Sequence, residues 1–390
     1  MPSLARSRTT NPIAKLGLVN WRLILWIAVL CSVGIATLYS AGRTPCASQP
    51  CPFGGWNPWA TSQLPKIIMG LAILLCAAVI DLKIWIASAY WIYGGAVLSL
   101  VAVMLVGKVG MGAQRWISLG FMQFQPSELM KIGLVLALAK YFSALSITEI
   151  RMNRALIPPT AMTLLPVGLV AAQPDLGTAI SLMLAAGIIY FAAGVQAWKF
   201  GLVIACGLVA APLAYKYALR DYQRERVRIF LNPETDMMGS GYHITQSKIT
   251  IGSGGFSGKG YLEGTQSHLN FLPERHTDFI FTMFAEEFGF VGSMCLFFAV
   301  AAILWQCYAI ALGSRNNFGR VLTLGIASNF FVYFFINTAM VMGLLPVVGV
   351  PSPLMSYGGT SALTILFGFG LVESSAVHGD TLVSSKSSYL

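Results

Sequence analysis

Long apolar runs recur along the whole chain, and most are long enough to cross a bilayer as a helix. The pattern predicts about ten membrane-spanning helices separated by polar segments. The predicted helices cover residues 21–42, 62–80, 84–106, 126–144, 156–172, 177–195, 199–218, 279–312, 321–345 and 360–376. The sequence therefore predicts an all-α polytopic membrane protein, with one membrane domain over residues 1–390.

Composition and charge agree with this prediction. Hydrophobic residues make up 56% of the chain and charged residues 10%, whereas a soluble chain has roughly 25% charged residues. If the N-terminus is inside, the inner segments hold most of the lysines and arginines near the spans, as the positive-inside rule requires. The tails 1–20 and 377–390 are then cytoplasmic. The net charge of +10 reflects this orientation and the large loop, and no basic tail or basic helix face indicates nucleic-acid binding.

The largest predicted non-membrane segment is an extracytoplasmic, periplasmic loop at residues 219–278, between the seventh and eighth helices. It opens with a charged amphipathic stretch and continues into a glycine-rich run at 251–260. This run departs from a nucleotide-binding loop at Ser253 and Gly260. A flexible turn is therefore the favoured interpretation, and a phosphate contact through Lys259 is the alternative.

The seven cysteines divide into two groups. Cys46 and Cys51 share the first outer loop, where an oxidising compartment would allow a local disulfide. A pair of free thiols is an equally good prediction. The other cysteines fall in apolar spans and are expected to be small core residues: Cys31, Cys76, Cys206, Cys295 and Cys307.

Ionisable side chains are concentrated where the large loop meets the next apolar helix. Glu274, Arg275, His276 and Asp278 follow one another closely there. A partly desolvated carboxylate at such a boundary can have its pKa raised into the range of a general base. For Asp278 alone, the simpler explanation is a first-turn carboxylate favoured by the helix dipole. Its ionisable neighbours favour the chemical role.

Other ionisable residues lie at predicted helix starts. Glu128 and Lys131 share one helix face because they are three residues apart, and Asp175 follows Pro174. A neutralising ion pair explains the first two as well as a functional role does, and a helix cap explains Asp175. The proline- and glycine-containing segment 351–361 is either a re-entrant, tightly turned segment or a plain turn.

Several of these segments together resemble the SEDS family, the shape, elongation, division and sporulation group of polytopic membrane proteins. Segments 241–247 and 264–267 are similar to the elongation members, of the RodA type, rather than to the division members. Gln114 departs from the residue common in relatives, which weakens the match at Arg115. The matching segments are 125–129, 173–178, 232–234, 241–247, 251–260, 264–267, 271–281 and 356–361.

The resemblance implies a peptidoglycan glycosyltransferase that polymerises lipid II during cell elongation and rod-shape maintenance. Asp278 matches the family's essential aspartate and would be the general base of an inverting transfer. Cationic side chains would stabilise the departing pyrophosphate. The residues expected to bind substrate or support the reaction are Glu128, Lys131, Asp175, Arg115, Lys259, Glu274, Arg275, His276, Ser356 and Thr360.

The resemblance also implies an activating partner, a class B penicillin-binding protein that supplies the transpeptidase, together with other membrane proteins of the elongation complex. A divalent cation, Mg²⁺ or Mn²⁺, could assist, although the sequence specifies no site, and no organic cofactor is expected. Two alternatives remain open. One is a lipid II flippase, for which few polar residues occur in the inner half of the spans. The other is a non-catalytic scaffold of the wall-synthesis complex.

Overall fold

The structure is a computed structural model that describes residues 12–42, 58–106, 108–110, 113–118, 123–218, 221–232, 234, 236, 239–265 and 275–379. Helices dominate this part of the chain. They are α1 (Pro12–Leu16), α2 (Trp21–Ala41), α3 (Pro58–Val79), α4 (Leu82–Val106), α5 (Pro126–Ser143), α6 (Ile147–Ile150), α7 (Ile157–Ala172), α8 (Leu176–Ala193), α9 (Ala197–Leu213), α10 (Asp221–Leu231), α11 (Ser240–Ser253), α12 (Ile280–Gly313), α13 (Asn317–Val341) and α14 (Gly359–Val377).

All ten predicted spans are present as helices, with bounds within a few residues of the prediction: α2 to α5, α7 to α9 and α12 to α14. Among the described residues, nine helices are long and apolar enough to cross a membrane. The tenth, α5, carries Glu128, Lys131 and Lys140, and all but three of its eighteen residues are buried. It packs against α4, α7, α8, α13 and α14. The prediction of an all-α polytopic protein is confirmed, with α5 as its central helix.

Helix α9 has the opposite environment, because none of its residues is buried. It contains Pro212 and continues into a π-helical turn at Ala214–Ala218. An apolar helix with no buried face is typical of contact with lipid, where hydrocarbon solvates apolar side chains. The helix is therefore at the periphery of the bundle.

The large loop is more ordered than the sequence suggested. Helix α10 covers the predicted charged stretch, and a second helix, α11, packs against α12 and α13. Ile244 and Ser247 of α11 are buried, and Ser247 Oγ donates a hydrogen bond to Val341 O at 2.8 Å. A small antiparallel sheet also lies between α4 and α5, with strands β1 (Lys108–Gly110), β2 (Ala113–Ser118) and β3 (Gln123–Phe124).

The glycine-rich run leaves the end of α11 as a turn that packs into a kink of α12, which confirms the turn; its flexibility stays a prediction. The kink is at Gly289, whose φ of 64° and ψ of −159° only glycine adopts readily. The amides freed by the kink donate to the run, from Phe290 N to Gly255 O at 3.0 Å and from Val291 N to Phe256 O at 3.1 Å. The run thus completes the hydrogen bonding of a broken helix.

The prediction that five cysteines are core residues is wrong for three of them. Cys31 and Cys307 are buried, whereas Cys76, Cys206 and Cys295 are exposed on helix surfaces. A small apolar side chain can face lipid without penalty, so an apolar span does not by itself place a cysteine in the core. Cys46 and Cys51 lie outside the described residues, and their disulfide stays a prediction.

Candidate active site

Asp278 lies in the turn at residues 275–279 that directly precedes α12, and its side chain is partly exposed. Asn337 of α13 holds this turn in place, because its Nδ2 donates to Asp278 O at 2.8 Å and to Val350 O at 2.7 Å. A Cβ placed on Gly349 would lie 3.6 Å from Asp278 Oδ2. The carboxylate therefore lies beside the backbone of residues 348–350, where a small residue leaves room around it.

The segment 351–358 fixes the same turn from another direction. Ser356 Oγ donates to Thr277 O at 2.6 Å and accepts from Ser352 N at 2.8 Å. Tyr357 N donates to His276 O at 2.8 Å. Ser356 is buried, and Thr360 is buried in the first turn of α14. This segment is irregular backbone enclosed by protein, which fits the tightly turned alternative.

Glu128 and Lys131 form a buried ion pair within α5. Lys131 Nζ lies 2.6 Å from Glu128 Oε2, and the two side chains are 2% and 4% exposed. The ammonium also lies 3.6 Å from the centre of the Tyr333 ring. Because both charged residues belong to adjacent turns of one helix, their pairing joins no two elements of the fold. The pair places a cation inside the bundle, and burying it is costly.

Asp175 caps α8, which confirms the capping interpretation. Its carboxylate accepts from Thr178 N at 3.3 Å and from Thr178 Oγ1 at 2.9 Å. It is also close enough to Lys131 to interact with that charge. Gly177, two residues later, packs so tightly that a Cβ there would lie 2.7 Å from Val348 O. The start of α8 thus rests on the same segment, 348–350, that lies beside Asp278.

One face of α13 connects these groups. Tyr333 and Asn337 are four residues apart and therefore point to the same side of the helix. Tyr333 contacts Lys131, and Asn337 binds the turn of Asp278. Glu128, Lys131, Asp175 and Asp278 are therefore gathered around this face and the adjoining segment 348–350. The sequence prediction missed Tyr333 and Asn337, although an amide within an apolar span is itself a signal of function.

Lys259 is engaged in a different place. Its Nζ lies 2.7 Å from Glu286 Oε1 and donates to Thr265 Oγ1 at 2.7 Å. Glu286 is completely buried in α12, just before the kink. The next residue, Glu287, accepts a hydrogen bond from Ser40 at the end of α2. These contacts support a structural role for Lys259, and its contact with a leaving pyrophosphate stays a prediction.

Arg275 and His276 share an aromatic partner, Trp59 of α3. The His276 ring stacks on Trp59 at 4.3 Å with an angle of 2° between the planes. The Arg275 guanidinium lies 5.7 Å from the same ring, and Arg275 is buried. Glu274 lies outside the described residues. Arg115 belongs to β2, but its side chain is not among those described.

The predicted divalent cation finds no prepared ligand set in the described ranges, where no group of three or more His, Cys, Asp or Glu residues could hold a metal. Glu128 is paired with Lys131, and Asp175 is bonded to Thr178. These carboxylates therefore do not fit a protein-ligated metal centre. The divalent cation stays a prediction.

Comparison with known proteins identifies the family. The FtsW/RodA/SpoVE family of cell cycle proteins matches residues 21–380. The peptidoglycan glycosyltransferase MrdB of Escherichia coli K12 is 43% identical over 333 residues, covering 83% of this chain and 87% of the relative. The chain belongs to this family, and the resemblance to the SEDS group, of RodA type, is confirmed.

Solved structures agree with this assignment. A chain of a peptidoglycan synthase complex, solved to explain the coordination of polymerization and crosslinking, superposes with a TM-score of 0.79 at 31% identity, covering 92% of this chain and 97% of that one. The rod shape determining protein RodA of Thermus thermophilus superposes with a TM-score of 0.67 at 28% identity, covering 93% and 98%. The protein is a multi-pass membrane protein.

Proposed function

We propose that this chain is a peptidoglycan glycosyltransferase that polymerises lipid II into glycan strands during cell elongation. The observation that carries the proposal is the position of Asp278. It is a partly exposed residue in a turn fixed by Asn337 and Ser356, and its carboxylate is close to the segment that also meets the start of α8. The activity named for the Escherichia coli relative supports the same function.

In the proposed reaction, Asp278 takes the proton of the acceptor sugar's 4-hydroxyl as that oxygen attacks the donor anomeric carbon. The new bond joins the acceptor oxygen to that carbon. The bond from the carbon to the pyrophosphate oxygen breaks, and the lipid pyrophosphate leaves with its electron pair. One displacement inverts the anomeric centre and gives a β-1,4 linkage. A carboxylate in a rigid turn suits a general base, because its orientation is set before substrate binds.

Lys131 provides fixed positive charge for the negative charge that grows on the leaving group. Glu128 holds the ammonium at 2.6 Å, and Asp175 adds negative charge nearby. These two carboxylates offset part of the cost of burying the ammonium. Tyr333 and Asn337 are positioning residues in this proposal, because they join the cation and the base to one helix.

The remaining assignments concern location and partners. We place the protein in the bacterial inner membrane, with both termini cytoplasmic and the Asp278 turn on the periplasmic face. This orientation puts most of the short basic segments inside. A class B penicillin-binding protein is the proposed activating partner, and the synthase complex that contains a similar chain supports this pairing.

The flippase and scaffold alternatives are not favoured. A flippase would need a polar path through the whole bundle, whereas the ionisable groups gathered near Asp278 lie in the first two turns of α5 and at the cap of α8. A scaffold would not need a buried cation with so little structural benefit as Lys131.

The test combines the purified protein, its transpeptidase partner and labelled lipid II. We expect polymer from the native protein and a loss of about 10²- to 10⁴-fold in rate for Asp278→Asn, with an unchanged melting temperature. Asp221→Asn is the matched control, since that carboxylate is exposed on α10. Equal rates for Asp278→Asn and the native protein would contradict the assignment of the base. Transfer of lipid II across liposomes without polymer would support the flippase instead.

A further inference from the structure

Lys66 of α3 is a cation beside the Asp278 turn for which the reaction above has no role. Its Nζ lies 4.4 Å from the centre of the Tyr357 ring. A Cβ placed on Gly359, the first residue of α14, would lie 3.7 Å from the same nitrogen. Gln63, three residues earlier on α3, accepts from Gly358 N at 3.3 Å and donates to Gly358 O at 3.3 Å. The α3 side chains thus place the ammonium at the start of α14.

The same aromatic residue connects Lys66 to the turn of the proposed base. The Tyr357 ring lies 6.0 Å from the His276 ring, and its amide donates to His276 O. Asp278 follows two residues later. Lys66 therefore approaches the turn from α3, whereas Lys131 approaches through α13.

Within the part of the chain that the structure describes, the charge of Lys66 is not balanced by a neighbouring carboxylate. Throughout the described ranges, no carboxylate lies within ion-pair distance of Lys66, although Lys131 and Lys259 each have a glutamate. A hydrogen bond from Ser62, assisted by the Lys66 charge, outweighs burial and lowers the pKa of the Tyr357 phenol. The surroundings therefore favour negative charge.

We propose that Lys66, with the Tyr357 hydroxyl beside it, binds the diphosphate of the lipid carrier, in the donor and in the released undecaprenyl pyrophosphate. The inference rests on the proposed function, because that reaction brings a diphosphate to Asp278. A diphosphate carries several negative charges and accepts hydrogen bonds, so it matches an unbalanced ammonium and a phenol. The first amides of α14 lie beside the ammonium and add to the favourable field.

The direct test measures binding of undecaprenyl pyrophosphate to the purified full-length protein in nanodiscs of neutral lipid. We expect Lys66→Gln to weaken binding about tenfold or more, the size of one lost charge-assisted hydrogen bond. Lys66→Arg keeps the positive charge, and a guanidinium also binds phosphate. Its affinity should therefore stay within about threefold of the native affinity. Lys83→Gln removes an exposed cation near the start of α4 and should have no effect. Melting temperatures of the four proteins establish that they fold alike.

Further arms separate the sources of the diphosphate. Inorganic pyrophosphate should compete in the native protein and compete less in Lys66→Gln. Phosphatidylglycerol in the nanodisc should not compete with undecaprenyl pyrophosphate, because it carries a single phosphate diester and lacks the second phosphate. Competition by phosphatidylglycerol equal to that by pyrophosphate would overturn the diphosphate assignment in favour of a general anionic-lipid contact.

The polymerisation assay keeps this inference separate from the proposed function. If the native protein polymerises lipid II while Lys66→Gln binds undecaprenyl pyrophosphate as native does, the Lys66 site is wrong and the function stands. If the native protein with its partner forms no polymer, the proposed function fails, and the Lys66 inference fails with it whatever the binding shows. Support requires native polymerisation, weaker binding by Lys66→Gln and recovery by Lys66→Arg.

Discussion

Two lysine–glutamate pairs of nearly the same length are found in different parts of this molecule. Lys131 lies 2.6 Å from Glu128, and Lys259 lies 2.7 Å from Glu286. The first pair is local to α5, and both of its side chains are almost completely buried. The second joins the glycine-rich run to α12, and its lysine is 25% exposed. The two ion pairs thus have nearly the same length, but one lies within a single helix and the other links two segments of the chain.

The difference separates a pair that positions charge from a pair that joins elements. Desolvating two charges costs several kcal/mol. The Lys259–Glu286 pair offsets part of this cost because it holds the glycine-rich run against the kinked helix α12. The Lys131–Glu128 pair joins adjacent turns that α5 would hold together without it. Its burial therefore points to function, and four predictions test this contrast.

The largest effect is expected for Lys131→Met. The change leaves Glu128 buried without its cation, so we expect a destabilisation of about 3–5 kcal/mol and loss of polymer formation. The double variant Glu128→Gln/Lys131→Met should recover stability in thermal unfolding but not activity. Lys140→Met is the matched control on the same helix, because the Lys140 ammonium lies 4.5 Å from the centre of the Tyr90 ring and forms no ion pair within the described ranges. Recovery of activity in the double variant would reverse the contrast.

A smaller effect is expected for Lys259→Met. Glu286 loses a charge-assisted hydrogen bond, so we expect a loss of roughly 1.5–3 kcal/mol, measured as a lower melting temperature. Activity per folded molecule should fall far less than in Lys131→Met. An equal loss of activity in the two variants, at matched stability, would show that Lys259 meets the substrate.

Gly289→Ala tests whether the kink itself, rather than the ion pair, holds the run. The left-handed conformation and the close contact with Gly258 predict a destabilisation of roughly 1–3 kcal/mol. Proteolysis of the loop in native-like conditions would detect the released run. Gly313→Ala, where a Cβ meets no atom within 4 Å, should leave both measurements unchanged.

The smallest effect concerns a third, more exposed cluster. Asp81 Oδ1 lies 3.1 Å from Lys15 Nζ and 2.8 Å from His378 Nε2, and the Asp81 side chain is 58% exposed. Burial lowers the pKa of His378 despite its acidic partner. Burial by itself would raise the pKa of Asp81. The hydrogen bond from Lys15 and the charges nearby outweigh burial, so the pKa of Asp81 is lowered.

The signs of these shifts define the pH window. His378 binds a proton less readily when folded, so stability should fall as pH drops through about 6.5. The contribution of Asp81 is present above its unfolded pKa near 4 and is lost in more acid solution. From pH 7.5 to 5.5 we therefore expect the free energy of unfolding to fall by less than about 1 kcal/mol. Thermal unfolding at a series of pH values measures this change. His378→Gln should flatten the curve, and an unchanged slope in that variant would assign the titration elsewhere.

Hydrophobic periodicity was sufficient to predict the ten long helices, because a bilayer imposes length and apolar composition on each one. It was insufficient for α11 and the small sheet, whose stability depends on contacts with other segments. The motifs predicted Glu128, Lys131, Asp175 and Asp278, but not how they meet. Asn337 and Lys66 belong to no recognised motif, and their partners become visible only when α13, α3 and the 348–358 segment are placed together.

The charges buried in α5 also bear on how the protein enters the membrane. Each lysine near the centre of a nascent span raises the cost of insertion by roughly 2.5–3.5 kcal/mol. Helix α5 would thus be a poor candidate for release into lipid by itself. It packs closely along α4, the span made just before it. Co-insertion of α4 and α5 as a hairpin would give Lys140 its Tyr90 contact during biogenesis, while Glu128 of the same helix pairs with Lys131.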